Sequence, residues 1–421
     1  MPRSIRVFGA ALVAVVVWMV LVAMGSREGW WRPLPAPRGD AKAFLDAAGM
    51  KIGRESKGNA ALVLLEHGRA AGEYFASRGK PVDGDTLFQV ASMSKWLTAW
   101  GVMTLVEKRK IDLDAPVSRY VKRWKLPPSE YKNDDVTIRR LLSHTAGFTD
   151  GLGYRGFAPG EKPQTLEASL THAADAMPGR PGAVRVGVRP GSEFRYSGGG
   201  FTLLQLLIEE VSGQSFNDFM RKSVLLPLGM TESTYVDPDP AHLAPFFDEK
   251  GKRAIHYRFT SLAAASLYTS TNDMTRFLAA QLRGPHGEPV GRGVLRPATI
   301  ELMRHPQASI FGLPIWGLGT ILYAPNNAGG FVVGHDGNNF PAINTTARLD
   351  PATGDGIIML ETGNGTVASE IGGDWTYWHT GTVDIGVLVF EARNELIILA
   401  AGILVIIAIA GAIFWRGRAR A

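Results

Sequence analysis

Two long stretches of the chain are apolar throughout, and they lie near its two ends. Val7 to Met24 is an apolar run of 18 residues, and Leu396 to Trp415 is one of 20. A helix rises 1.5 Å per residue, so about 20 residues cover roughly 30 Å, the hydrocarbon thickness of a bilayer. The second run predicts a transmembrane helix over 395–415, followed by a basic tail at 416–421. The first predicts a membrane anchor or a signal peptide over 1–25. Its apolar core is longer than the 7–15 residues usual in a signal peptide, and Ala23-Met24-Gly25 is a weak cleavage site.

Between these runs the pattern changes. Residues 26–40 form a proline-rich linker, and a helix is expected from Ala41. Ala60 to Glu66 and Ala71 to Phe75 are short apolar runs split by His67-Gly68-Arg69, which reads as a hairpin. Met93 to Glu107 has apolar residues at helical spacing, as do Val136 to Leu142 and Phe201 to Val211. Residues 149–190 read as long loops. Gly317 to Tyr323, Phe331 to Gly334, Ile343 to Leu349 and Gly356 to Leu360 read as strands. Strands at both ends with helices between them predict an α+β fold. Its antiparallel sheet, from about 41–91 and 285–390, is flanked by helices, and a mainly helical lobe at about 92–284 is inserted in it. The domain is expected to span 41–390.

Charge bears first on location. Of the net +6, Arg3, Arg6, Arg416, Arg418 and Arg420 account for five, so the body is nearly neutral. That excludes nucleic acid as the expected partner. Arginines outside both apolar runs place both ends in the cytoplasm and residues 26–394 outside it. The expected partners are the bilayer and a small-molecule or peptide substrate of the cell envelope. The chain has no cysteine, which removes disulfides, thiolate metal sites and cysteine nucleophiles. Its nine histidines show no metal-ligand spacing, so a metal site is not expected.

The chemistry begins at Ser92-Met93-Ser94-Lys95. On a helix, positions i and i+3 share a face, so the Ser92 hydroxyl and the Lys95 amine meet while Ser94 turns away. A serine hydroxyl needs a neighbouring base to become a nucleophile, and a neutral amine is one. Tyr196 lies in Phe194-Arg195-Tyr196-Ser197-Gly198-Gly199-Gly200, a glycine-rich loop before a helix. Beside an ammonium its phenol can share acid–base work. Taken alone, it reads first as a packed tyrosine. Gly334-His335-Asp336-Gly337-Asn338 lies between strand-like runs, where a backbone N–H can meet a developing oxyanion. Taken alone, it is an ordinary turn. His144 reads as a structural residue at a helix end, and His379-Thr380-Gly381 as a lesser rival of the third motif. Gly151-Leu152-Gly153-Tyr154-Arg155-Gly156 has dinucleotide-site spacing but no following helix.

In this order and spacing, Ser92-x-x-Lys95, Tyr196-Ser197-Gly198 and His335-Asp336-Gly337 resemble the class C β-lactamase and penicillin-binding-protein-related serine hydrolases. Leu113 to Val117, Leu141 to Gly147, Pro227 to Met230 and Leu267 to Phe277 look similar too. The resemblance implies Ser92 as the acylated nucleophile, with Lys95 and Tyr196 as its acid–base pair and no metal or organic cofactor needed. It also implies an oxyanion hole from the backbone N–H groups of Ser92 and Asn338, with Gly198, His335 and Gly337 contacting substrate. Two positions depart from the family's usual pattern. Gly198 stands where an asparagine is frequent, and His335 where a lysine is frequent. The expected activity is therefore that of an esterase, amidase or peptidase. A β-lactamase or D-alanine carboxypeptidase, and a weakly catalytic binding or sensing protein of the same fold, are the alternatives.

Overall fold

The computed structural model describes residues 3–151 and 153–418. Leu152 of the glycine-rich loop and residues 419–421 of the basic tail lie outside them. Two compact units emerge, one of residues 39–372 and one of residues 1–38 with 373–421. The division falls at Gly373.

In chain order the elements begin with α1 (Arg3–Glu28), α2 (Ala41–Glu55), β1 (Ala60–Glu66), β2 (Arg69–Ala76) and β3 (Phe88–Gln89). The helical lobe follows: α3 (Ser94–Glu107), α4 (Ile138–Leu142), α5 (Leu166–Thr171), α6 (Gly198–Ser212), α7 (Phe216–Met220) and α8 (Leu262–Ala265). Next come β4 (Tyr268–Thr269), α9 (Thr271–Ala280) and α10 (Pro297–Arg304). The remaining strands are β5 (Ala308–Ile310), β6 (Leu313–Trp316), β7 (Ile321–Pro325), β8 (Phe331–Asn339), β9 (Ile343–Leu349) and β10 (Gly356–Thr362). The last helices are α11 (Val367–Thr380) and α12 (Ile385–Arg418).

Eight strands make one antiparallel sheet in the order β2-β1-β10-β9-β8-β7-β6-β5, while β3 and β4 pair separately. The chain thus starts the sheet at one end, leaves to build the lobe, and returns to complete it. Alternation gives the sheet two apolar faces. Ala61, Val63, Leu65, Val333, Ala347, Leu349, Ile358 and Leu360 share one continuous core with α3, α6 and α9. Leu62, Leu64, Ile357 and Met359 are buried on the opposite face.

The expected hairpin and the strand Ile343–Leu349 stand where the pattern put them. The run 317–323 does not form one strand. Gly317 to Thr320 is a turn, with the Gly317 N–H donating to the Thr320 carbonyl, and it joins β6 to β7. The loop 149–190 contains α5, capped by Thr165. His379-Thr380-Gly381 closes α11, with His379 stacked on Trp375, and is no strand motif.

In the second unit, α1 and α12 include the two helices that, among the described residues, are long and apolar enough to cross a membrane, Ile5–Glu28 and Glu395–Arg416. They pack side by side. The Trp18 indole donates to the Leu399 carbonyl at 3.1 Å, and Phe8 meets Phe414 with ring centroids 6.3 Å apart. These pairings make the helices antiparallel and set Arg6 and Arg416 at one end of the pair. Beyond Glu28 the chain is tied to α11: Tyr377 donates to the Gly29 carbonyl at 2.9 Å, and Arg32 pairs with Asp374 at 2.8 Å.

Candidate active site

β3 ends at Gln89, and after Val90 the backbone turns sharply through Ala91, whose φ of +46° is costly for a non-glycine residue. A 3₁₀ turn over Ala91–Met93 then feeds α3. Several hydrogen bonds hold the turn. The Val90 N–H donates to the Leu267 carbonyl at 2.9 Å, and Thr345 Oγ1 on β9 donates to the Val90 carbonyl at 3.1 Å. Ser94 is buried and structural: its Oγ donates to the Ala91 carbonyl and accepts from the Leu267 N–H. Ser92 is half-buried at the head of the helix.

Lys95 is 2 % exposed, and its Nζ lies 3.0 Å from Ser92 Oγ and 2.7 Å from the Ala264 carbonyl, to which it donates. The Tyr196 and Phe201 rings flank the amine, with centroids at 5.0 and 5.7 Å. Burial pulls the amine's pKa from 10.5 down to about 7, and the Asp150 carboxylate resists that shift. Tyr196 hydrogen-bonds Ser92, and burial pushes its phenol up despite that bond. Its ring is 38 % exposed along the cleft, so the push is moderated by solvent. The resting pair is therefore a partly neutral amine beside a protonated phenol, not an ammonium beside a phenolate.

Tyr196 is positioned by the start of α6. Ser197 caps that helix by accepting from the Gly200 N–H at 2.8 Å. The buried Asp150 accepts from Ser197 Oγ at 2.7 Å and from the Gly199 N–H at 3.1 Å, which places a carboxylate at the positive end of the helix. Gly198 is the first residue of α6, is buried, and offers only backbone.

β8 supplies the third wall. Its pairing with β7 ends at Gly334, while its pairing with β9 continues to Asn339. From His335 onward one edge of β8 is therefore unpaired by strand. The Gly334 carbonyl faces the β7 side, where it accepts from Thr320 Oγ1, and the Gly337 carbonyl accepts from Asn344 on β9. Two-residue alternation then puts the Asn338 N–H on the open edge. Gly337 lets β8 press against the turn: a Cβ there would collide with the Val90 carbonyl and sit 2.5 Å from Thr345 Oγ1. The Asn338 side chain is exposed and bonds to the Gly365 carbonyl.

His335 is 1 % exposed, so its side chain lies within the wall rather than in the open cleft. Its Nδ1 is 2.6 Å from the Asp336 carbonyl, which requires the proton on Nδ1 and leaves Nε2 as a buried lone pair without a partner. Burial and nearby Lys95 push its pKa down to about 3, so it is neutral.

Three contributors had no readable mark in the sequence. Asp150 sits in a stretch read as loop, Trp316 lies on a strand not anticipated, and the Ala264 carbonyl is backbone. Trp316 meets His144, Tyr196 and His335 with centroids 4.7 to 5.8 Å apart. Among the described residues, no three His, Cys, Asp or Glu side chains are grouped to hold a metal ion.

The family model described as Beta-lactamase matches residues 50–382. Penicillin-binding protein 4 of Amycolatopsis lactamdurans is 28 % identical over 327 residues, covering 72 % of this chain and 78 % of that protein. Esterase EstB of Burkholderia gladioli is 29 % identical over 212 residues, covering 45 % of this chain and 50 % of that protein. Penicillin-binding protein 4* of Bacillus subtilis is matched over 35 % of its length. The penicillin-binding protein homologue from Pyrococcus abyssi superposes with a TM-score of 0.62 at 22 % identity, covering 84 % of this chain and 78 % of that one. The D-alanine carboxypeptidase AmpC from Burkholderia cenocepacia superposes at 0.59 with 22 % identity, over 79 % of this chain and 99 % of that one. With its α+β sheet and helical lobe in the same arrangement, the chain belongs to the β-lactamase-fold family of serine hydrolases.

Proposed function

We propose that this protein is a membrane-anchored serine hydrolase that cleaves an ester, amide or peptide outside the cytoplasm through an acyl-enzyme on Ser92. The observation that carries this reading is the Lys95 amine, 3.0 Å from Ser92 Oγ with a pKa near 7. A surface lysine would be an ammonium with no lone pair to offer. Here the neutral amine takes the Ser92 proton as Oγ attacks the substrate carbonyl carbon. The negative charge that develops on the carbonyl oxygen is met by the N–H groups of Ser92 and Asn338. Tyr196 passes a proton to the leaving group, whose bond to carbon breaks, and the Lys95 ammonium returns its proton to the phenolate. Water then attacks the acyl-enzyme with the same pair as base, and Ser92 recovers its proton.

A cleft wall with a neutral, buried His335 and no side chain at Gly198 provides no cation for a substrate carboxylate at either position. This favours an uncharged ester or amide over a β-lactam or a D-alanine peptide, and the esterase relative fits that preference. The buried, depressed lysine favours turnover over mere binding, because a binding protein has no use for that electrostatic cost. Membrane attachment rests on α1 and α12, whose apolar side chains are largely exposed although they pack on each other. The arginine-bearing end of that pair belongs in the cytoplasm.

The test is a serine-directed phosphonate applied to full-length protein in detergent, followed by a panel of esters, amides, D-amino-acid peptides and a cephalosporin. Wild type should be labelled and Ser92→Ala should not. Equal labelling of the two would remove Ser92 as the nucleophile, and turnover of the cephalosporin at the ester's rate would reverse the substrate order.

A further inference from the structure

His144 is buried, 2 % exposed, and sits just after α4 with a φ of +56°. A non-glycine residue in this conformation is held there at a cost by its surroundings. Its backbone and ring grip the chain on both sides of Tyr196. The His144 carbonyl accepts from the Arg195 N–H at 2.7 Å, and its Nδ1 accepts from the Ser197 N–H at 3.1 Å. Between these two bonds the imidazole lies against the Tyr196 ring, with centroids 4.3 Å apart and planes 35° from parallel. Phe194, Phe201 and Trp316 enclose the imidazole, with centroids 5.8, 5.3 and 4.7 Å away. Trp316 is anchored in turn, since its indole N–H donates to the Leu142 carbonyl at 3.1 Å, two residues before His144.

From this geometry we infer that His144 is a positioning residue for the acyl transfer: it brackets the residues flanking Tyr196 and backs its ring, so that the phenol stays on Ser92. The inference rests on the reading of Tyr196 as part of the acid–base pair. The bracket needs a neutral ring, because Nδ1 can accept only while unprotonated. Burial and nearby Lys95 and His335 hold the His144 pKa well below 6.5, which keeps it so. His144 reaches the reaction only through Tyr196, so its loss should matter only while the phenol is present.

A double-mutant cycle on the full-length protein tests this. The readout is the single-turnover acylation of Ser92 by a p-nitrophenyl ester. His144→Ala should slow acylation about 30- to 100-fold, as sub-ångström misplacement of a reacting group does, with KM within about twofold. His144→Asn, whose amide oxygen can accept from the Ser197 N–H, should recover about tenfold of that loss. In a Tyr196→Phe background, His144→Ala should cost less than about threefold. If His144→Ala loses its cooperative melting transition, His144→Asn and His144→Phe complete the cycle. His144→Phe keeps the ring but lacks the acceptor, and should lose more than His144→Asn. An equal loss in both backgrounds, or a change in KM alone, overturns the bracket. Wild-type acylation by Tyr196→Phe itself would instead remove Tyr196 from the mechanism.

Discussion

Strand β8 has two faces, and they are built on opposite principles. On one, Asp336 accepts from Tyr323 Oη at 2.6 Å and from Thr346 Oγ1 at 2.5 Å, and pairs with Arg348 at 3.2 Å. Arg348 is 1 % exposed; its Nε donates to Thr346 Oγ1, and its guanidinium lies 3.8 Å from the Tyr323 ring centroid. On the other face, His335 keeps a buried lone pair without a partner, and Lys95 is pushed far from its usual pKa. One residue along the strand separates a saturated polar network from an unsaturated one. The lesson is a division of labour. The saturated face ties β8 to β7 and β9, and the other face uses that rigidity to keep costly groups in place.

The comparison breaks most sharply at Lys95. Lys95→Met should lower acylation about 10³-fold or more, because the base is gone. It should also stabilise the fold at pH 7 by on the order of 1–3 kcal/mol, since a penalised buried amine is removed. The sign follows from the folded pKa near 7 lying below the unfolded 10.5. Above pH 10.5 the amine is neutral in both states and costs no proton. As pH falls toward 7, only the unfolded chain gains the proton, so wild-type stability declines and then levels off below 7. Denaturant melts of both proteins across pH 7–11 should converge at the alkaline end.

The opposite result is expected on the other face. Asp336→Ala leaves the Arg348 charge buried without its carboxylate and should destabilise by about 3–5 kcal/mol. The fraction that remains folded should still acylate at a rate within about tenfold of wild type. A stable but inactive Asp336→Ala would mean that the two faces are not separate. Gly337→Ala, which forces β8 off the Val90 turn, should cost about 1–3 kcal/mol and activity together. The mildest probe is pH. kcat/KM should rise about tenfold per unit up to pH 7 and flatten above it, following the neutral fraction of Lys95. A flat profile from pH 5 to 8 would put another group in the role of base.

What could be read in advance follows the range of the interaction. Ser92 and Lys95 stand three residues apart across the junction of the 3₁₀ turn with α3, and the structure places their reactive atoms within hydrogen-bond distance. The strand Ile343–Leu349 alternates cleanly, and its bounds are met. Asp150 was invisible because its meaning lies in Ser197 and Gly199, nearly 50 residues away. The direction of the Lys95–Tyr196 pair was likewise out of reach. An ammonium at Lys95 would draw the phenol toward its anion, but burial, which acts through the whole fold, favours the neutral amine and the neutral phenol. Trp316 was missed because β6 is only four residues long and ends at a glycine-rich turn.

The pairing of α1 with α12 has a consequence for how the hydrolase domain can be set free. The chain enters residues 39–372 from one helix of the pair and returns to the other, so the domain is a loop closed by Trp18 on Leu399 and Phe8 on Phe414. A protease that nicks the linker near Pro35 would leave the domain tethered through α11 and α12. With the pair in a bilayer, as proposed, release requires a second cut, which makes the two helices a double lock against shedding.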